Sequence, residues 1–142
     1  MNEGPVNPTD AQGDVAVLLI DDEPLVLSTL GRILRQSGFS VIAVPTGTEA
    51  VRIVKEKCFQ PDVVLLDMTI GDLPADRIVA ELKLTGPAIR VLLISGYPLD
   101  DGATEVIDVG AHGYLQKPFS PDTLQQRIRE LCHQPCTEKK PQ

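Results

Sequence analysis

Apolar positions fall into two patterns that alternate along the chain. Five short runs are apolar without a polar residue at every second position: Val15–Ile20, Ser40–Val44, Asp62–Leu66, Arg90–Ile94 and a brief Gly113–Gln116. Continuous apolar runs of this length predict strands covered on both faces, as in a parallel sheet. Between them lie stripes of helical period. Leu27, Leu30, Ile33 and Leu34 share a face behind Pro24, which suits the first turn of a helix, and Ala50, Val51 and Val54 follow Thr46 and Thr48. Ile78, Val79 and Leu82 form a third stripe. Ala103, Val106 and Ile107 form a fourth that stops at Gly110, and Leu124, Ile128 and Leu131 form a fifth behind the candidate caps Ser120 and Asp122. Five βα units are too few to close an eightfold barrel, so the expected fold is α/β: an open, doubly wound (βα)5 sheet of five parallel strands.

The patterned region runs from Asp14 to Cys132 and reads as one folded domain. Residues 1–13 carry Pro5, Pro8 and Gly13 with almost no apolar residue, and residues 133–142 lack periodicity, so both read as flexible arm or tail. A length of 142 residues, 42% of them hydrophobic and 23% charged, suits one globular domain. With no Trp and 4% aromatics, the core must be aliphatic, and stacking platforms for single-stranded nucleic acid are missing. The 13 Lys and Arg against 20 Asp and Glu give a net charge of −7, which argues against a nucleic-acid partner and favours a cation. The apolar runs are too short to span a membrane. Three cysteines in no framework spacing, without a leader pattern, predict a reducing, cytoplasmic setting.

In open parallel sheets ligands sit beyond the carboxyl ends of the strands. Here the first run ends in Asp21-Asp22-Glu23, the third in Asp67, the fourth in Ser95-Gly96, and the fifth leads into Lys117-Pro118. Asp22 alone would read equally well as a helix cap. Parallel pairing would bring all four ends together, and three converging carboxylates repel by several kcal/mol at low effective dielectric, so they need a cation. Hard oxygen donors suit Mg²⁺ or Mn²⁺ better than Zn²⁺. His112 and His133 read as turn and tail residues, and Cys132-His133-Gln134-Pro135-Cys136 as half of a zinc pattern without its partner half. A carboxylate beside a divalent ion, a lysine and a hydroxyl can receive a phosphoryl group: Asp67, ending what should be the central strand, is the candidate nucleophile, Asp21 and Asp22 the metal-holding pair, and Lys117 and Ser95 the groups that meet the phosphoryl oxygens.

The ordered set Leu-Leu-Ile-Asp21-Asp22-Glu23-Pro24, Val-Val-Leu-Leu-Asp67-Met68, Leu-Leu-Ile-Ser95-Gly96 and Tyr114-Leu-Gln-Lys117-Pro118-Phe119 resembles the receiver domain of two-component response regulators, of flavodoxin-like fold. The resemblance covers nearly the whole patterned region. It implies that Asp67 accepts a phosphoryl group from a histidine kinase or phosphotransfer protein, and that the Thr69 backbone carbonyl joins the carboxylates around Mg²⁺. It further implies that Ser95 and Tyr114 form a switch pair, that Lys117 binds phosphate, and that Thr69 and Tyr97 influence phosphoryl lifetime. The implied output is a changed surface at the fourth helix, fifth strand and fifth helix, for a partner the residues do not identify, on a monomer or weak homodimer. Such a domain is a signalling element that catalyses only its own modification and slow dephosphorylation.

Two positions depart from the family pattern: Gly71 stands four residues past the acceptor where proline is common, and Ala75 eight past it where glycine is common. A dehalogenase-like phosphatase would need a second Asp where Thr69 stands, and the acidic turn at Asp21–Glu23 would repel a dinucleotide pyrophosphate. A receiver-shaped interaction module that is never phosphorylated is the remaining alternative. The Ser95-Gly96-Tyr97 and Gln116-Lys117-Pro118-Phe119 wording resembles receivers joined to hybrid sensor kinases, so the chain reads either as a free-standing regulator or as a piece of such a kinase.

Overall fold

The computed structural model describes residues 15–98 and 100–133. Five strands, β1 (Ala16–Ile20), β2 (Ser40–Val44), β3 (Val63–Asp67), β4 (Arg90–Ser95) and β5 (Gly113–Gln116), alternate with five helices. The helices are α1 (Pro24–Gln36), α2 (Gly47–Lys55), α3 (Ala75–Thr85), α4 (Asp101–Asp108) and α5 (Pro121–His133). The sheet order is β2-β1-β3-β4-β5 with every pair parallel. The expected doubly wound fold is therefore present, with β3 at its centre. His133, expected in the tail, is the last residue of α5, whereas the arm at residues 1–13, Asp14 and residues 134–142, Cys136 included, lie outside the described residues.

Strand residues alternate between two cores, which is why the runs carry no polar face. Leu18, Ile20, Val64, Leu66, Val91 and Leu93 pack under α2, α3 and α4. Val17, Leu19, Val63, Leu65, Leu92 and Ile94 pack under α1 and α5. Full burial of each such side chain contributes about 1.5–3 kcal/mol relative to exposure. The helical stripes close these layers through Ile78, Val79 and Leu82 on one side and Leu34, Leu124, Ile128 and Leu131 on the other. The α1 stripe is less covered than its spacing predicts, because Leu27 and Leu30 are only half-buried. Val26, Thr29 and Leu30 instead line a groove of about 430 Å³ that continues to Lys117, Pro118 and Phe119.

Local chemistry fixes the helix ends. The Thr46 hydroxyl accepts the Glu49 N–H at 3.0 Å, Asp100 accepts the Ala103 N–H at 2.9 Å, and Ser120 accepts the Thr123 N–H at 3.1 Å. Asp22 is not a cap. The N-cap position of α1 is Glu23, which makes no side-chain cap bond, and Pro24 at the first helical position has no N–H to satisfy. Gly110 follows α4 at φ +133°, a conformation that L side chains rarely adopt.

At the start of α2, a Cβ on Gly47 would lie 2.4 Å from Cδ1 of Ile78, which is fully buried. Gly47→Ala should therefore overpack the α2–α3 seam and destabilise the domain by about 1–3 kcal/mol in urea titrations. A variant as stable as wild type would show that Ile78 moves aside without cost.

Candidate functional site

The chain turns from β1 to β2 on one side of the sheet and crosses to β3 on the other, leaving a switch point between the carboxyl ends of β1 and β3. Register makes those ends level: Ile20 pairs with Leu66, Asp67 with Ile94, and Ser95 with Gln116. The residues that follow each strand therefore meet in one cleft. Asp21 and Asp67 are buried, at 3% and 4% exposure, whereas Asp22 is exposed. One carboxylate oxygen from each of the three lies within 4.8 Å of the others. The Lys117 ammonium stands 3.6 Å from Asp67 Oδ2 and 3.9 Å from Asp21 Oδ2. Lys117 precedes Pro118 through a cis peptide bond.

The two buried carboxyls have different surroundings. Asp21 accepts the Glu23 N–H at 2.9 Å, while Asp67 Oδ1 accepts both the Thr69 N–H at 2.9 Å and the Thr69 hydroxyl at 2.8 Å. Burial pushes the Asp21 carboxyl up to about 6; the Glu23 bond opposes the rise, and the neighbouring Asp67 adds to it. Burial acts on Asp67 in the same sense, but the two Thr69 bonds, Asp21 as donor and the Lys117 charge together outweigh it and hold Asp67 below the usual carboxylate range. Of the two, Asp21 is the carboxyl that takes up a proton first as pH falls.

This arrangement has a consequence for stability. A carboxyl whose folded-state value lies above its unfolded value makes the native state bind more protons, so its cost is greatest above pH 6 and disappears as pH falls toward 4. In metal-free buffer at pH 7.5, Asp21→Asn should stabilise the fold by on the order of 1–3 kcal/mol, with little gain at pH 4. Chemical denaturation at both pH values checks this, and a destabilised variant at pH 7.5 would contradict the electrostatic account.

The remaining sequence-predicted residues surround the cleft. Ser95, 5% exposed, accepts the Tyr97 N–H at 3.0 Å, and Tyr97 is 66% exposed. Tyr114 pairs in register with Leu93, packs against the core under α2, α3 and α4, and has a buried hydroxyl without a hydrogen-bond partner among the described residues. Its backbone carbonyl accepts from Arg127 at 3.2 Å. The Thr69 hydroxyl engages the Asp67 carboxylate itself, a contact that the sequence reading did not anticipate. His112 stands apart from the cleft; its Nδ1 accepts the Val91 N–H at 3.1 Å, which places it in the sheet scaffold. Cys132 is half-buried on α5, where burial pushes its thiol up to about 11.

Three carboxylates with no His or Cys among them form a hard-oxygen donor set compatible with metal binding. A family model described as the response regulator receiver domain matches residues 17–129. The chain is 32% identical over 123 residues to the sensor kinase CckA of Brucella abortus, covering 87% of this chain and 13% of that kinase. It is 31% identical over 123 residues to the transcriptional regulatory protein ZraR of Salmonella typhimurium, covering 86% of this chain and 27% of that regulator. The crystal structure of the receiver domain of sensor histidine kinase PA1611 from Pseudomonas aeruginosa, with a magnesium ion coordinated in its active site cleft, superposes with a TM-score of 0.76. That match is 22% identical and covers 86% of this chain and all of that domain. The chain belongs to the response regulator receiver domain family, a signalling class of two-component systems. It spans about an eighth to a quarter of the length of these curated relatives. Among the described residues, no helix is long and apolar enough to cross a membrane.

Proposed function

We propose that this receiver domain takes a phosphoryl group from a phosphohistidine onto Asp67, in the presence of Mg²⁺ or Mn²⁺. The observation that carries this reading is the buried Asp67 carboxylate, with an oxygen within 4.8 Å of those of two further carboxylates and an ammonium 3.6 Å away. An Asp67 oxygen attacks phosphorus, the P–N bond to the donor histidine breaks, and the imidazole leaves with the bond's electron pair and takes up a proton. Thr69 orients the attacking carboxylate through its two bonds to Oδ1. Lys117 meets the negative charge on the transferred group, and Ser95 donates its hydroxyl to one of the new oxygens. Asp21, Asp22, Asp67 and the Thr69 carbonyl would hold the ion, which when bound supplies positive charge to the phosphoryl oxygens.

The same contacts make a switch. Ser95 drawn toward the phosphoryl group gives up the Tyr97 N–H, and Tyr114, whose buried hydroxyl lacks a hydrogen-bond partner among the described residues, is free to find a new position. The affected surface is α4, β5 and α5, offered to an output partner. Thr69 and Tyr97 border the path of attacking water and set the phosphoryl lifetime. A donor histidine phosphorylated from ATP, on a kinase or phosphotransfer protein, places the domain in the cytoplasm. Intact-mass analysis after incubation with acetyl phosphate, with Mg²⁺ or with excess chelator, tests the proposal. One added phosphoryl group that requires the metal is expected; an unchanged mass with both acetyl phosphate and a phosphohistidine donor would leave a receiver-shaped interaction module.

A further inference from the structure

The loop from Asp67 to α3 carries Thr69 and lacks the proline usual at position 71, yet it holds the Thr69 hydroxyl on the acceptor carboxylate. One end of the loop is fixed in β3. Ile70, 7% exposed, anchors the next stretch, its N–H bonded to the Asp67 carbonyl at 3.1 Å. Beyond it, Gly71 contributes no packing, since even an added Cβ would meet nothing within 4 Å. The distal end is held by Asp72. Its Oδ1 accepts the Gly47 N–H at 2.8 Å, and its Oδ2 accepts the Thr48 N–H at 2.9 Å and the Thr48 hydroxyl at 2.7 Å. Both oxygens of the carboxylate are thus committed to the first turn of α2, 24 and 25 residues away in sequence.

These bonds complete the N-terminus of α2. Its first N–H groups have no intrahelical acceptor. Thr46 satisfies the one at Glu49, and Asp72, borrowed from another loop, satisfies those at Gly47 and Thr48. A carboxylate is also the favoured charge at that end of the helix. Although exposed, Asp72 is held below the usual carboxylate range, because the bonds from Thr48 and Gly47 outweigh the small effect of burial. Gly47 permits the approach, since α2 lies against Ile78 of α3 too closely for any side chain to fit without a shift.

We infer that Asp72 is a positioning residue for phosphoryl acceptance: by clamping the loop after Asp67 to the N-terminus of α2, it sets the placement of Thr69 against the acceptor. The inference deepens the proposed function and rests on it. Asp72 touches neither Asp67 nor the carboxylate cluster, so it acts through Thr69, whose hydroxyl orients Asp67 and whose carbonyl is the fourth donor assigned to the ion. Losing the clamp should weaken both.

The test compares wild type with Asp72→Ala, Asp72→Asn and Thr46→Ala. Thr46→Ala uncaps the same helix without releasing the loop, and so separates lost helix stability from lost positioning. The first readout is amide hydrogen exchange at Thr69 and Ile70 without metal; the second is the rate of phosphoryl uptake from acetyl phosphate at limiting Mg²⁺. Asp72→Ala should raise exchange at both amides about tenfold and slow uptake about tenfold. Asp72→Asn keeps one acceptor oxygen but turns an NH₂ toward the remaining donors, and should fall between. Thr46→Ala should leave both readouts near wild type. Wild-type exchange and uptake in Asp72→Ala, or the same changes in Thr46→Ala, would overturn the clamp. Failure of wild type to take a phosphoryl group from either acetyl phosphate or a phosphohistidine donor is seen before any variant is compared and overturns the phosphoacceptor reading; the exchange arm still decides whether Asp72 holds Thr69 in place.

Discussion

Asp67→Asn should reduce phosphoryl uptake by at least about 10³-fold while leaving the fold intact. Asparagine preserves the shape of the side chain and an oxygen for the Thr69 donors, but an amide oxygen does not displace imidazole from phosphorus. Loss of activity through unfolding is not expected, because the change removes one of two buried carboxyls that repel each other. At neutral pH the metal-free variant should stay within about 1–2 kcal/mol of wild type, because weaker contacts with Thr69 and Lys117 oppose the relieved repulsion with Asp21. A substitute acceptor is close at hand, since Asp21 and Asp22 each bring an oxygen within 4.8 Å of Asp67. Asp21 is a poor substitute: it is buried, favours its protonated form below about 6, and has one oxygen bound to the Glu23 N–H. Intact mass over time, with denaturation curves alongside, separates these outcomes. Uptake at near the wild-type rate would assign the acceptor to a different residue.

Lys117→Ala should have the next largest effect, on two quantities at once. Its ammonium lies 3.6 Å and 3.9 Å from the two buried carboxylates, so its removal leaves their charge opposed only by hydrogen bonds. Because the lysine side chain is about one-third exposed and both contacts are long, solvent screens part of the interaction. The stability loss at neutral pH should be about 1–2 kcal/mol, well short of the 3–5 kcal/mol typical of a broken, fully buried pair. Protonation of Asp21 can absorb part of that loss. Phosphoryl uptake has no such relief, since the charge that Lys117 offsets moves onto the transferred group, and a fall of about 10²-fold is expected. Lys117→Arg, which retains charge in a bulkier planar head, should recover the stability more fully than the rate. Equal recovery of both would mean that Lys117 serves only to neutralise the cleft.

Why the fold could be read from the sequence is clearest at β3 and β4. Both are buried on two faces, so neither tolerates polar alternation, and the resulting apolar runs give parallel strands directly. Boundaries shifted by a residue where a polar group closes a strand: the expected run at 62–66 is observed as Val63–Asp67, with Asp62 outside it accepting the Ala16 N–H at 2.9 Å. The four strand ends could be read as one cleft because parallel pairing brings carboxyl ends together whatever the strand order. Side-chain contacts between loops were not legible. Asp72 reaches α2 only because Gly47 lets two helices approach closely, a fact of packing rather than of period. A usable signal did exist: α2 begins at Gly47-Thr48 with Thr46 able to satisfy one N–H, and an unassigned acid stands five residues past Asp67. The half-covered Leu27 and Leu30 were hidden for a related reason, since a stripe shows which side of α1 faces inward but not how far its neighbours extend over it.

The central claim is that a phosphoryl group passes from phosphohistidine to Asp67, and the most direct measurement is to locate the product. After incubation with a phosphohistidine donor and Mg²⁺, borohydride reduces an acyl phosphate to an alcohol and so converts a phosphorylated aspartate into homoserine at its own position. Peptide sequencing by mass spectrometry should find homoserine at position 67, dependent on both donor and metal. Homoserine at position 21 or 22, or none at any position under conditions where the donor loses its phosphoryl group to a known receiver, would contradict the account.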